Sequence, residues 1–168
     1  MWQQFADSGV MPNSQPLLSS GTLVPMKSAL PEVSSAAWAS IVTGQNSGGH
    51  NVYGFTDLID GSYTLGFTSS RTFRAKPFWQ RAGAGPSLIM NVPQTYPAQP
   101  LEGMLVSGFV ALDLKKAVYP ADELPWLESV GYEVDADMSL IETGKSEFVA
   151  GLHQAMATRC AALHHHWD

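Results

Sequence analysis

The sequence predicts an α/β fold, and three observations carry that prediction. Two short apolar runs, Ser87–Val92 (SLIMNV) and Gly103–Val110 (GMLVSGFV), are bounded by proline and glycine in the way buried strands are. Segments with apolar residues at helical spacing stand on both sides of these runs in sequence. Glycine and proline punctuate the chain between them, so strands and helices alternate instead of falling into separate blocks.

Taken in order, Trp2–Ser8 reads as the last turns of a helix stopped by Gly9, and Pro16–Ser20 as a short helix ending at Gly21. Thr22–Ser28 alternates and is expected to be a strand, at an edge or bulge because of Pro25. A helix over Ala36, Trp38, Ile41 and Val42 stops at Gly44, and Gln45–Gly49 is a turn. Gly54–Ser70 is expected to form a small hairpin around Asp60-Gly61, with Tyr63–Phe67 as its clearer strand. Lys76–Arg81 reads as a helix start with Pro77 at the first position. Pro93–Pro100 holds three prolines and forms an ordered loop after the first buried strand. Glu123–Val130 is a helix ending at Gly131, followed by a short strand at Tyr132–Val134. The longest helix runs from Ser146 to His165, with Phe148, Leu152, Met156, Cys160 and Leu163 as its expected core stripe.

Composition narrows the function classes. At 168 residues and 45% hydrophobic content, one domain with a sizeable core is expected. The net charge is -6 and the basic residues read as scattered, which argues against a nucleic-acid duplex as partner. A local positive site for a small phosphate-bearing substrate stays compatible with an acidic chain. The single cysteine, Cys160, rules out an internal disulfide and a CxxC pair. No apolar run approaches the roughly 20 residues of a membrane helix, and MWQQFADSGVMP does not read as a signal peptide, so a cytoplasmic location is expected.

Ser34 and Ser35 stand just ahead of a helix pattern. A serine there is most often a cap for an orphan backbone N–H. The same geometry also suits a nucleophile, because free amides and the helix dipole attract phosphate, while the hydroxyl still needs a base or metal to activate it. Other candidates favour ordinary readings. His164, His165 and His166 point in different directions on a helix and suit a polar helix end. Gly144-Lys145-Ser146 resembles the end of a P-loop, but Ser139 stands where that loop needs its first glycine. Asp135 and Asp137 suggest a calcium loop, but Leu140 occupies its glycine position. No G-x-S-x-G elbow is present.

The run PEVSSAAWASIVTGQNSGGHNVYGFTD resembles the nucleophile segment of the type I phosphodiesterase/nucleotide pyrophosphatase family, within the alkaline phosphatase superfamily. That family's pattern is approximately P-x-x-S-S-P-A-W-x-S-x-x-T-G, then a glycine-rich turn and His-Gly. Asn91-Val92-Pro93 with Thr95-Tyr96-Pro97 resembles its NVPxTYPP segment, and Val106-Ser107-Gly108-Phe109 its VSGF strand. Ala117–Pro120 and Gly131-Tyr132 resemble later blocks, so the likeness covers nearly the whole chain in order. Two departures stand out: Ala36 where the family usually has proline, and Asn51 where it usually has glycine.

The resemblance implies a partial alkaline-phosphatase-like α/β/α fold with a mostly parallel sheet and a small hairpin insertion. It implies Ser34 as nucleophile, nine positions before Thr43 as in related nucleotide pyrophosphatases, and Ser35 as the neighbour whose backbone amide faces the phosphate. Asn91 and Tyr96, on the loop after a buried strand, are substrate-pocket candidates, with capping of the proline-rich turn as the alternative role. Two divalent metal ions, zinc in the superfamily, are implied, with Ser34 approaching one of them and the aspartate and histidine ligands outside this chain. The 168 residues are accordingly expected to be one incomplete domain, lacking the first core strand and the metal-ligand half; Trp167-Asp168 resembles the opening of the next core strand. The expected substrate is a small phosphate ester or nucleotide. Two alternatives remain open: a non-catalytic fragment or binding module that keeps the fold, and a phosphomonoesterase or other phosphoryl-transfer member of the superfamily.

Overall fold

The computed structural model describes residues 2–167; Met1 and Asp168, the second residue of the terminal Trp-Asp likeness, lie outside the described residues. Helices α1 (Trp2–Asp7) and α2 (Gln15–Ser20) open the chain, clasped by a hydrogen bond from Trp2 Nε1 to Ser14 Oγ at 2.9 Å. The strand expected over Thr22–Ser28 does not form. This segment is coil without a ladder partner, and Val24 and Met26 stand 67% and 86% exposed. Pro25 removes a ladder donor, and the alternation has no buried face to pack against.

Helix α3 (Ser34–Thr43) ends at Gly44, whose φ of 64° is the left-handed conformation that lets its N–H turn back to the Ser40 carbonyl. A single turn, α4 (Ser47–His50), follows, capped by the Asn46 side chain, which accepts from the Gly49 N–H at 3.1 Å. The expected hairpin forms as β1 (Thr56–Leu58) and β2 (Leu65–Phe67), antiparallel with Asp57 opposite Gly66. The helix expected at Lys76–Arg81 is only a 3-10 turn over Phe78–Gln80. Pro77 is its cap, with an extended ψ of 154° that the first helical position could not have.

Both buried runs are strands: β3 (Ser87–Val92) and β4 (Gly103–Ser107). After α5 (Leu114–Ala117), β5 (Val118–Tyr119) completes a sheet of order β3-β4-β5. β3 and β4 pair in parallel, which is the longer pairing, and β4 pairs with β5 antiparallel. The register shifts between Met90 and Val92, where Asn91 takes a φ of 55°. Next to this bulge only glycine fits at position 108, because a Cβ there would stand 2.4 Å from the Asn91 carbonyl oxygen. The chain closes with α6 (Leu124–Ser129), α7 (Leu140–Thr143) and α8 (Lys145–Trp167).

Strand periodicity sends alternate residues of β4 to opposite faces. Met104 and Val106 pack with Val118, Leu127, Tyr132 and Ala162, on the side of α6 and α8. Leu105 packs with Ile89, Val42 and Trp79, on the side of α3. Helices thus cover the two faces of the sheet, and the mixed α/β architecture is consistent with a partial alkaline-phosphatase-like fold.

Two expectations are corrected on the α8 side. The helix buries Ala155, Thr158 and Ala162, whereas the expected stripe leaves Met156 and Leu163 exposed and Cys160 on the surface. The small residues let α8 approach the sheet closely, which the larger side chains would prevent. Tyr132–Val134 is coil, not a strand: the Tyr132 N–H donates to the Leu127 carbonyl at 2.9 Å, its hydroxyl donates to Asn91, and the Val134 carbonyl accepts from Asn91 and Arg159. The histidines at the end of α8 anchor it to α6: His165 stacks on Trp126 at 4.0 Å, and His166 lies 3.8 Å from Glu123. No helix among the described residues is long and apolar enough to cross a membrane.

Candidate active site at the start of α3

The first turn of α3 is uncapped. Val33 holds the cap position with extended backbone (φ -128°, ψ 142°), and its side chain has no acceptor. Ser34 and Ser35 are therefore the first two helical residues, and neither hydroxyl caps an amide. The Ala37 N–H reaches the Val33 carbonyl at 3.0 Å, while the N–H groups of Ser34, Ser35 and Ala36 have no acceptor among the described residues. Ser35 and Ala36 are fully buried, so only the Ser34 N–H belongs to an exposed residue at the positive end of the helix dipole.

The two serines differ in exposure. Ser34 is exposed, with its hydroxyl free of hydrogen bonds among the described residues. Ser35 is fully buried, and its Oγ has no partner. Ser35, whose amide was expected to face the phosphate, is therefore closed to an external ligand, backbone included, whereas Ser34 can present an oxygen.

The stretch around them is braced by its own residues. Ser47 Oγ donates to the Leu30 carbonyl at 2.7 Å, tying the loop ahead of α3 to α4. His50, fully buried, pairs with Ser40 Oγ through Nε2 at 2.9 Å. The Val52 N–H donates to His50 Nδ1 at 3.1 Å, so Nε2 carries the ring proton and donates to Ser40. Burial holds the His50 pKa below the ordinary histidine value. At the far end, Arg81 Nη2 donates to the Thr43 carbonyl, capping α3 with a cation. Ala36, Ala39 and Val42 are buried along the helix, so its position is fixed by packing as well.

Asn91 and Tyr96 lie on β3 and on the loop that follows it. The Asn91 amide is engaged at both ends: Oδ1 accepts from the Tyr132 hydroxyl at 2.6 Å, and Nδ2 donates to the Val134 carbonyl at 3.3 Å. Burial raises the Tyr132 pKa, with the Asn91 bond and the Arg159 charge acting in the opposite direction. Tyr96 is half-buried, its carbonyl accepts from the Ser70 N–H at 2.8 Å, and its hydroxyl makes no hydrogen bond among the described residues. No hydrogen bond joins Ser34 or Ser35 to Asn91 or Tyr96 among the described residues.

Residues that the sequence did not single out contribute most of the bracing: Ser40, Ser47, His50 and Arg81. The NSGGH turn was visible as a motif, but the ring partners of its histidine were not. Gln94, 2% exposed with Oε1 unpartnered and a φ of 68°, carried no sequence signal beyond its place between Pro93 and Thr95. Among the described residues, no group of three or more His, Cys, Asp or Glu is placed to hold a metal ion. His50 in particular has both ring nitrogens occupied, so it does not fit a ligand role.

The chain is thus an α/β protein with an exposed serine at an uncapped helix start. It belongs to the type I phosphodiesterase / nucleotide pyrophosphatase family, whose family model matches residues 2–160. Membership supports hydrolysis of phosphodiester bonds in general, and the family is generally metal-dependent. No curated protein and no solved structure matches the chain.

Proposed function

We propose that this chain supplies the nucleophile of a hydrolase acting on phosphodiester or nucleotide pyrophosphate bonds, with Ser34 attacking phosphorus. The observation that carries this reading is the contrast at the start of α3. Ser34 presents a free, exposed hydroxyl at an uncapped helix start, whereas Ser35 beside it is fully buried. The helix end carries roughly half a positive charge and favours an anion there. In-line attack by Ser34 Oγ forms a bond to phosphorus and expels the alcohol or phosphate leaving group, and water then releases the phosphoryl group from the serine.

In this reading two divalent metals, zinc by family likeness, would be held by residues outside this chain. Tyr96, with its free hydroxyl, is the better substrate-pocket candidate on the β3–β4 loop. Asn91 acts there by shaping the loop, since both ends of its amide are engaged.

Ser34→Ala in the full-length protein is expected to lower hydrolysis of bis(4-nitrophenyl) phosphate by at least about a thousandfold. Metal content and melting temperature stay unchanged. Activity retained in that variant overturns the assignment of Ser34. A separate titration of the 168-residue chain with zinc, followed by elemental analysis after desalting, is expected to leave no stoichiometric metal bound. Retention of two zinc ions per chain overturns the placement of the ligands outside it.

A further inference from the structure

Between Asp60 and Glu102 the chain carries no acidic residue, yet Arg71, Arg74, Lys76 and Arg81 all fall there. Four of the nine basic residues thus sit within 71–81, in a chain of net charge -6. The basic residues are clustered, contrary to the scattered distribution expected from composition. Segment 61–101 has a formal charge of +4, and the remainder of the chain 5 − 15 = -10.

This segment walls a cavity of about 270 Å³. Phe73 and Trp79 provide apolar wall, Arg74 and Lys76 the charge, and Ser70 and Gln99 further polar groups. No Asp or Glu lines it. The Arg74 and Lys76 side chains are exposed and have no ion pair or hydrogen bond among the described residues. The walls are tied together. The Arg74 N–H donates to the His50 carbonyl at 3.2 Å, and Ser70 Oγ to the Pro97 carbonyl at 2.6 Å. Gln99 Nε2 donates to that same carbonyl at 3.2 Å. Trp79 is 4% exposed and packs against Val42 of α3. Val42 lies about 12 Å along the helix from Ser34, at 1.5 Å per residue. The cavity therefore borders the far end of α3, away from the exposed serine.

We propose that this cavity is a binding site for a small organic phosphate monoester bearing a single apolar or aromatic ring. Two uncompensated cations suit a dianionic phosphate. Apolar wall beneath them suits a ring, and the volume, slightly below the range of about 300–1,000 Å³ for drug-sized pockets, suits a compact ligand. The proposal does not depend on Ser34 being a nucleophile, because the serine is not part of the cavity.

Phenyl phosphate is the probe, titrated into the full chain by isothermal calorimetry, with the Trp79 indole N–H followed by NMR. Saturable binding is expected, with the Trp79 signal shifting. The Arg74→Ala/Lys76→Ala double variant should bind at least about tenfold more weakly, and added salt should weaken binding by screening. Arg74→Lys/Lys76→Arg, which keeps both charges, should retain it, and Ser34→Ala should leave it unchanged. Inorganic phosphate should bind more weakly than phenyl phosphate because it leaves the apolar wall unused. The proposal is overturned if no saturable binding occurs at millimolar ligand, or if the double alanine variant, with an unaltered circular dichroism spectrum, binds as tightly. It is equally overturned if Ser34→Ala abolishes binding, which would place the ligand at α3, or if inorganic phosphate binds as well as the ester.

Discussion

Ser35→Ala is predicted to stabilise the protein, which is the opposite of what a capping serine would do. Removing a cap oxygen costs about 1 kcal/mol. Ser35 caps nothing: it is 0% exposed, and its Oγ has no partner. A buried, unsatisfied polar group costs about 1–3 kcal/mol, and deleting it recovers much of that. Alanine also gains roughly 0.5 kcal/mol over serine in helix propensity. Against this stands the small void left by one oxygen, about 0.4 kcal/mol if roughly 15 Å³ stays empty. The net expectation is about 1–2 kcal/mol of added stability, or a rise in melting temperature of roughly 3–6 °C for a chain of this size. Urea denaturation by tryptophan fluorescence, with calorimetry in parallel, measures it. Ser34→Ala is the internal control and should stay within about 0.5 kcal/mol of the parent, because its hydroxyl is exposed and unbonded. A Ser35→Ala loss of about 1 kcal/mol or more would refute the reasoning. It would show that the buried hydroxyl has a partner and that Ser35 acts through its side chain.

Two further predictions concern the bracing of the site. His50 is buried neutral, with Nδ1 accepting from Val52, and its folded pKa lies below the ordinary value. The unfolded chain therefore takes up a proton, near pH 6.5, that the folded state resists, so stability should fall as pH drops below about 6.5. His50→Gln should flatten that part of the pH–stability curve measured by urea melts, and an unchanged slope would contradict the assignment. Gly108→Ala should cost about 3 kcal/mol, because its Cβ would meet the Asn91 backbone at 2.4–2.5 Å, where no flexible side chain can give way. A fully stable Gly108→Ala variant in a thermal melt would show that the bulge at Asn91 is not held as described.

The parts of the fold that were legible in the sequence are those set by local rules. β3 and β4 were visible because buried strands need apolar runs ended by proline or glycine. The hairpin was visible from Asp60-Gly61, and the end of α3 from Gly44. The illegible parts depend on what lies opposite. On α8 two stripes compete at helical spacing, and hydrophobicity alone selects Leu152, Met156 and Leu163. Close packing selects Ala155, Thr158 and Ala162, because only small residues allow the approach. Thr22–Ser28 alternates like a strand but has no partner, and alternation cannot supply one. The Asn91–Tyr132 bond spans 41 residues, so no local pattern announces it. At the site, the serine pair was legible as a motif, but which serine is exposed was not. That follows from helix phase, which is fixed only once the first helical residue is known.

That phase also accounts for the two departures from the family pattern. Asn51 replaces a usual glycine and takes a φ of 65°, closing α4 through its N–H to the Ser47 carbonyl. Asparagine is among the few residues that tolerate this left-handed conformation, so the substitution keeps the turn that carries His50. Ala36 replaces a usual proline at the third residue of α3, where the N–H has no intrahelical acceptor in any case. Proline there would remove a donor that the helix does not use; alanine leaves it in place. Ala36 is fully buried, so the retained donor is not presented to solvent. Neither departure withdraws the hydroxyl or disturbs the braces from Ser47 and His50.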